Sequence, residues 1–455
     1  VAIIGAGPGG YVAAIRMAQL GLSVSLVEQS KLGGVCLNWG CIPTKALYSA
    51  TKTVERAAAG AEMGIKFSSP KIDLPTLAAW KEDVVGRLVD GIGALLDGNK
   101  VTVVQARATV ASVGTVELSN GDTLEADRIV LATGSSPIEI PGFSFSDPLV
   151  WSSDDALAVS EVPKRLVVIG GGVIGLELAT IYRRLGSEVM VIEMMPEILP
   201  GIDLDRRVIA TLKRALKEQG ITLQTNTTAD ALDKDGDTAV VHTSAGPIPV
   251  DRVLLAVGRR PNSAGIGLDN VGIEPDRRGF VAVDAKLETT APGVYAIGDL
   301  IPGPMLAHRA SADGERLAEL FVGEDTPLDY GTIPQAIFTD PEVASVGVSE
   351  ARAKQNSIDV IVGRFPYAAL GKAQGMNETA GFFQVVAEAG SHRIIGAQII
   401  GAEASSLIAE AAVAVQNALT LEAIADSVHA HPSLPEGLKE AAASALGRAI
   451  HAINR

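Results

Sequence analysis

The sequence predicts an α/β fold built from two copies of one strand–helix–strand unit and closed by an α+β C-terminal third. Three observations predict it. Residues 1–28, VAIIGAGPGGYVAAIRMAQLGLSVSLVE, recur at an offset of 165 as LVVIGGGVIGLELATIYRRLGSEVMVIE in residues 166–193. Each copy runs from an apolar, β-branched stretch through a glycine-rich turn into a helical pattern, then into a second apolar stretch that ends in Glu. From residue 335 onward no such turn recurs; GFFQVVAEAG and RIIGAQIIG read as strands, and Ala-rich stretches after them read as helices.

In the first copy the turn places Gly5, Gly7 and Gly10 in the spacing G-x-G-x-x-G, with Glu28 eighteen positions after the third glycine. A lone motif of this kind is weak. Between a strand and a helix, and followed by an acidic residue at the next strand end, it is the fingerprint of a Rossmann-like dinucleotide site. The first glycine makes the turn, the second lets backbone approach a pyrophosphate, and the third lets helix and strand pack closely. The helix N-terminus adds unpaired N–H groups and a positive dipole end. The second copy repeats this with Gly170, Gly172, Gly175 and Glu193. Glu28 and Glu193 are expected to accept hydrogen bonds from a ribose. Two copies imply two dinucleotides. From Glu193 to Asp205 the stretch EMMPEILPGIDLD holds no Lys or Arg, whereas a 2′-phosphate wants Arg there, so the second site reads as one for NAD rather than NADP.

Later strand ends follow the same plan. RIVLATGSSP (128–137) ends at Thr133-Gly134, RVLLAVGRRPN (252–262) at Gly258, and GVYAIGDL (293–300) at Gly298-Asp299, whose carboxylate suits a cofactor hydroxyl. Pro304 suits the first turn of a helix through MLAHRASADGERLAELF, and that helix N-terminus favours negative charge on a bound group. The expected segments are 1–145 and 146–264 for the two nucleotide domains, 265–334 completing the first site, and 335–455 as the C-terminal domain.

Charge and composition exclude other classes. Acidic residues outnumber basic ones, 53 to 38, for a net charge of −15. Nucleic acid and anionic membranes need a cationic face that this chain does not supply. There is no run of eighteen apolar residues to span a bilayer. The only cysteines, Cys36 and Cys41, lie in GGVCLNWGCIP. Two cysteines make no secreted disulfide framework, and no His/Cys cluster near them suggests a metal. On an ideal helix, positions five apart have Cα atoms about 8.6 Å apart, beyond the roughly 7 Å limit of a disulfide. If the two bridge, the helix must break, and Gly33, Gly34 and Gly40 supply that freedom. Such a small ring would be exchange-prone; two buried thiols are the alternative.

HAHPSLPEGLKEAAASAL carries a similar contest. Ser433 to Glu436 reads S-x-x-E, a helix capping box, which would leave His431 a loop residue. Alternatively, a thiol is nucleophilic only as a thiolate, so a thiol enzyme needs an imidazole such as His431 with a carboxylate fixing its tautomer. His429 is the local competitor, and extended alternation points it the other way.

Together, GGVCLNWGCIPTKAL, the two glycine turns, ATGSSP, AIGD and HAHPSLPE resemble the pyridine nucleotide–disulfide oxidoreductase family over the whole chain and in the same order. The resemblance implies FAD at the first site, NAD or NADP at the second, and a third domain that forms a homodimer with active sites shared between subunits. It implies that Cys36 exchanges with a substrate disulfide and that Cys41 stands next to the flavin. Lys45 is implied to pair with Glu177 beside the flavin, while His431 serves as acid–base and Glu436 as its orienting carboxylate. Within the family the match is nearest to enzymes that oxidise dihydrolipoamide on a lipoyl domain with NAD. These dock on the acyltransferase core of a 2-oxo-acid dehydrogenase complex, in the cytoplasm or the mitochondrial matrix. The alternatives fare worse. Glutathione-type reductases commonly use NADP, mercuric reductases carry further cysteines, and NADH oxidases use one. A non-catalytic flavoprotein would have lost one of Cys36, Cys41, His431 and Glu436. No metal is expected.

Overall fold

The computed structural model describes residues 1–68, 70–235, 238–324 and 327–454. They form two compact units: Val1–Glu161 with Leu255–Tyr330, and Val162–Leu254 with Gly331–Arg455.

The first unit is organised on a five-stranded parallel sheet. Its order is Val294–Ala296, Ile129–Leu131, β1 (Ala2–Ile4), β2 (Ser25–Glu28) and Thr102–Gln105. β1 is buried on both faces, which is why its sequence is a continuous apolar run rather than an alternation. Helix α1 (Pro8–Gln19) opens with Pro in its first turn and carries Gly9, Gly10, Ala13, Ala14 and Met17 on its buried side. These small side chains let it press against the helix Ala307–Phe321: a Cβ on Gly314 would stand 2.6 Å from the Gly9 carbonyl oxygen. Helices α2 (Gly34–Asn38) and α3 (Cys41–Ala59) follow β2.

The strand GVYA forms as expected, but Pro304 lies outside the helix. That helix begins at Ala307, with Leu306 extended before it. The reason is tertiary. The buried Arg309 guanidinium donates from Nη1 to the Gly298 carbonyl (2.9 Å) and from Nη2 to that of Pro302 (3.0 Å), holding the approach as a loop.

In the second unit the repeat reappears as strand Arg165–Ile169, helix Val173–Leu185 and strand Glu188–Ile192, with Ile221–Gln224 adding in parallel. Gly186, in the left-handed region at φ 115°, ends the helix. The C-terminal segment is a five-stranded antiparallel sheet in the order Gln335–Ile337, Glu342–Gly347, Ile394–Gly401, Phe382–Glu388 and Val360–Pro366. Helices Ala404–Gln416 and Glu436–Ala445 pack on it around a core that includes Phe365, Phe383 and Ile399. Among the described residues no helix is long and apolar enough to cross a membrane.

Candidate active site

The two glycine turns are built alike. Gly5 and Gly170 adopt φ of 102° and 110°, open only to glycine without strain. A Cβ on Gly10 would lie 1.8 Å from the Gly5 oxygen, and one on Gly175 would lie 2.1 Å from the Gly170 oxygen. The third glycine thus allows close helix–strand packing. A Cβ on Gly7 or Gly172 would meet nothing within 4 Å, so the middle glycine faces open space. Each is the N-cap of its helix with no side chain capping the N–H groups beyond it. Open room, unpaired donors and a positive dipole end suit a pyrophosphate, so both turns fit a dinucleotide.

The acidic strand ends do more than the sequence suggested. Glu28 accepts the Ala6 N–H at Oε2 (2.7 Å) and the Ser30 N–H at Oε1 (2.8 Å). Glu193 accepts the Gly171 N–H at Oε2 (2.8 Å) and the Met195 N–H at Oε1 (2.7 Å). Each carboxylate therefore fastens its glycine turn and keeps further lone pairs for a ribose. Beyond Glu193, Lys213 reaches back to this loop, but its Nζ is engaged by Glu197 at 3.0 Å.

The later strand ends gather in the first unit. The Thr133 hydroxyl donates to the Asn262 carbonyl (2.9 Å), and Asn262 N–H returns a bond to Gly134 (2.9 Å). Gly134 and Gly258 sit at φ 71° and 129°, at the mouths of the paired strands Ser135–Pro137 and Arg259–Pro261. Asp299 accepts the Ser135 hydroxyl at 2.6 Å, and Ser135 Oγ accepts Arg259 Nε–H at 2.8 Å. Burial pushes the Arg259 guanidinium below its ordinary value, while Asp299, Asp154 and Cys41 counter it. Gly298 N–H donates to Asp313 (3.0 Å), itself paired with the buried Arg309 and with the Tyr330 hydroxyl. Burial raises the Asp313 carboxyl despite those partners. Sequence reasoning missed Ser135, Arg259, Arg309 and Asp313. The opposite charges at Arg309 and Asp313, four apart on one helix, were the one signal available.

The cysteine segment breaks between helices. α2 holds Cys36 and ends at Asn38; Gly40 (φ −143°, ψ −109°) turns the chain, and Cys41 is the first residue of α3. The paired glycines press the segment against the first nucleotide turn. Gly33 N–H donates to Ala6 (2.8 Å), and a Cβ on Gly34 would lie 2.7 Å from Gly7 Cα. The structure presents the dithiol form. The Cys36 thiol is pushed well up by its hydrogen bond to Cys41, then by burial, with Lys45 opposing. Tyr11 is raised by burial and by Cys36. Lys45 lies one turn along α3 from Cys41, whose position at the helix N-terminus favours negative charge there.

In the second unit, His431 Nδ1 is 2.9 Å from Glu436 Oε1, and Glu436 Oε2 accepts the Ser433 N–H at 2.8 Å. The capping-box expectation holds only in that half. The N-cap is Pro435, and the Ser433 hydroxyl caps nothing, because the turn Ser433–Pro435 stands outside the helix. Burial would raise the Glu436 carboxyl, but the Ser433 N–H and His431 together hold it below its ordinary value. The side chain of His431 is 78% exposed, whereas that of His429 is 10% exposed and turns inward to Glu410 at 2.9 Å. Glu177 is buried and accepts the Phe338 N–H at 3.0 Å. Cys36, Cys41 and Lys45 thus belong to one unit, and His431, Glu436 and Glu177 to the other.

Comparison with known proteins gives concordant findings. Residues 1–314 match the family model described as pyridine nucleotide-disulphide oxidoreductase, and residues 333–442 match its dimerisation domain. The chain is 46% identical to a dihydrolipoyl dehydrogenase of Geobacillus stearothermophilus, covering 100% of this chain and 97% of that one. It is 44% identical to one of Bacillus subtilis, covering 99% and 97%. Among solved structures it is similar to LpdA from Mycobacterium tuberculosis, at a TM-score of 0.91 and 28% identity over 97% of this chain and 98% of that one.

Proposed function

We infer the reaction and its working residues from one premise, that this chain belongs to the pyridine nucleotide-disulphide oxidoreductase family. The protein is an FAD-dependent, NAD-linked disulfide oxidoreductase that oxidises dihydrolipoamide to lipoamide and reduces NAD to NADH. The observation that carries the assignment of residues is the dithiol of Cys36 and Cys41, split across a helix break and pressed against the first glycine turn.

With Nδ1 held by Glu436, His431 turns Nε2 outward to take a proton from a substrate thiol. The resulting thiolate attacks Sγ of Cys36 in the oxidised pair; a substrate–Cys36 disulfide forms and Cys41 leaves as thiolate. The second substrate thiol then displaces Cys36 and yields its proton to the Cys36 thiolate, the first proton stays on His431, and lipoamide departs. The substrate loses two electrons and two protons, and the Cys36–Cys41 disulfide gains the two electrons. The hydrogen bond to Cys41 and burial push the Cys36 thiol up, and Cys41, at a helix N-terminus, is the better placed of the two to carry negative charge. Gly5, Gly7, Gly10 and Glu28 with Thr133, Gly134, Gly298 and Asp299 would hold FAD, which would supply the two-electron chemistry between this dithiol and NAD. NAD would be held by Gly170, Gly172, Gly175 and Glu193. Lys45, one turn along α3 from Cys41, would provide a cation that favours negative charge on reduced flavin.

The last segment, matched by the dimerisation model, makes a homodimer, in which His431 and Glu436 serve the dithiol of the other protomer. The divisions 1–145, 146–264, 265–334 and 335–455 are kept for the FAD, NAD, central and interface domains. The substrate arrives on a lipoyl domain of a cytoplasmic 2-oxo-acid dehydrogenase complex. The test is an anaerobic titration of the yellow protein with dihydrolipoamide, followed by NAD or NADP. A long-wavelength absorbance band that decays as NADH forms is expected. No band and an unreduced flavin would sink the lipoamide reading, and turnover with NADP alone would overturn the NAD assignment.

A further inference from the structure

The segment that follows the NAD fingerprint is fastened at both ends and in the middle. Its first residue, Glu193, takes the Gly171 N–H at 2.8 Å. In its middle, Leu199 N–H donates to the Gly171 carbonyl at 2.8 Å, so both polar backbone groups of Gly171 are held by this one loop. Leu199 does so from the left-handed region, at φ 56°, a strained conformation for a branched side chain. Its far end is the N-cap of the helix Arg206–Glu218. Asp205 occupies that position, where an Asp side chain ordinarily caps its own helix, yet it makes no capping bond. Instead its carboxylate is spent on the C-terminal segment. Oδ2 accepts from Gln384 Nε2 and Oδ1 from the Ala351 N–H at 3.3 Å, while Asp205 N–H donates to Gln398 Oε1 at 2.9 Å. Gln384 and Gln398 are paired across adjacent strands of the antiparallel sheet, and both are buried. Arg364 Nε–H fixes the amide of Gln384 from behind at 2.6 Å. Asp203 adds a parallel tie, accepting the Ser349 hydroxyl (2.6 Å) and N–H (3.0 Å).

We propose that Asp205 is a positioning residue for NAD: seated on Gln384 and Gln398 of the dimerisation segment, it sets the Gly171 turn through Leu199. This rests on the reading of Gly170–Glu193 as the NAD site. The sheet that makes the dimer thereby also shapes the second nucleotide turn, and a buried, fully bonded polar cluster is rigid enough to do so.

The measurement is equilibrium binding of NADH to the anaerobically pre-reduced holoenzyme, which cannot take its hydride, followed by quenching of nicotinamide fluorescence. It is paired with the absorbance band raised by dihydrolipoamide, which reports the FAD side alone. In Asp205→Asn an NH₂ group opposes the Gln384 amide. NADH affinity is expected to fall about tenfold, as for loss of one bond to a charged group, with the dihydrolipoamide band retained. In the double variant Asp205→Asn with Gln384→Glu, donor and acceptor are exchanged, Ala351 N–H and Arg364 keep their acceptors, and affinity is expected to return to within about twofold of wild type. Unchanged NADH affinity in Asp205→Asn would overturn the proposal, as would equal losses in the single and double variants. Should Asp205→Asn not fold, Ser349→Ala removes the hydroxyl bond to Asp203 together with the N-cap bond from the Arg352 N–H; a loss of roughly threefold supports the proposal, and no loss overturns it. Failure of the wild-type protein to bind NADH at all would sink the NAD reading itself, a result distinct from any of these.

Discussion

Glu436 shows how one side chain resolves a contest that the sequence left open. One oxygen takes the Ser433 N–H and the other takes His431, so the structural and the catalytic readings of S-x-x-E are both partly right. The divided role gives two separable predictions. Glu436→Gln leaves His431 without a fixed tautomer, and turnover is expected to fall roughly a hundredfold, measured as kcat with dihydrolipoamide and NAD. The same change acts on stability with a definite sign. The wild-type carboxyl is held below its ordinary value in the folded protein. Its contribution is therefore full above the ordinary carboxylate range and is lost as pH falls through the lowered folded-state value. Melting temperatures recorded from pH 7 down to about 3 should decline more steeply for wild type than for Glu436→Gln; parallel curves would refute the linkage. At the thiols the roles are likewise separable. Given a monothiol disulfide such as hydroxyethyl disulfide, Cys41→Ser should gain the mass of one mercaptoethanol, because Cys36 displaces one thiol and keeps the other with no neighbouring thiol to resolve it; Cys36→Ser should gain it far more slowly.

At the level of elements, what was legible followed from covalent pattern. The two strand–turn–helix units, their glycines and their terminal Glu residues recur in register because backbone proximity dictates them locally. The helix break between Cys36 and Cys41 was legible as a condition on bridging, from spacing and glycines. What misled was an end signal whose outcome depends on distant partners. Pro304 looks like a first-turn proline, but Arg309 claims the carbonyls of Gly298 and Pro302 and delays the helix to Ala307. The glycines themselves make a sharp prediction. Gly7→Ala and Gly172→Ala add a methyl group that touches no protein atom, so each should fold with a wild-type melting temperature in the absence of nucleotide. The first is expected to lose FAD and the second NADH affinity, because the methyl group occupies the room left for a pyrophosphate. Gly10→Ala and Gly175→Ala drive a Cβ into the carbonyl oxygen of the first glycine. They are expected to cost about 1–3 kcal/mol or more of stability, as overpacking does. Equal melting temperatures for the two classes would refute the division of labour among the glycines.

For the whole molecule, the working groups are dealt into two units: dithiol and Lys45 in one, imidazole, carboxylate and Glu177 in the other. Sequence order alone says little about such a division, because each unit is assembled from two separated segments of the chain. The buried polar ties that join the NAD segment to that sheet, Asp205 with Gln384 and Gln398, carry no periodicity by which they could have been found. A side chain as exposed as His431, yet fixed by a carboxylate, suits an imidazole completed by another protomer. In a symmetric dimer with shared sites, each site takes Cys36 from one chain and His431 from the other. Cys36→Ser and His431→Gln homodimers should then both be inactive, since every site lacks one group. Unfolded together and refolded as a mixture, they should recover activity. Random pairing makes about half the dimers hybrid, and each hybrid has one site with both groups intact, so about a quarter of wild-type turnover is expected. Recovery at that level, abolished when the variants are refolded apart, would show that dithiol and imidazole act across the interface. No recovery, with hybrid dimers demonstrated by mass, would place His431 and Cys36 on the same chain's site and overturn the shared-site reading.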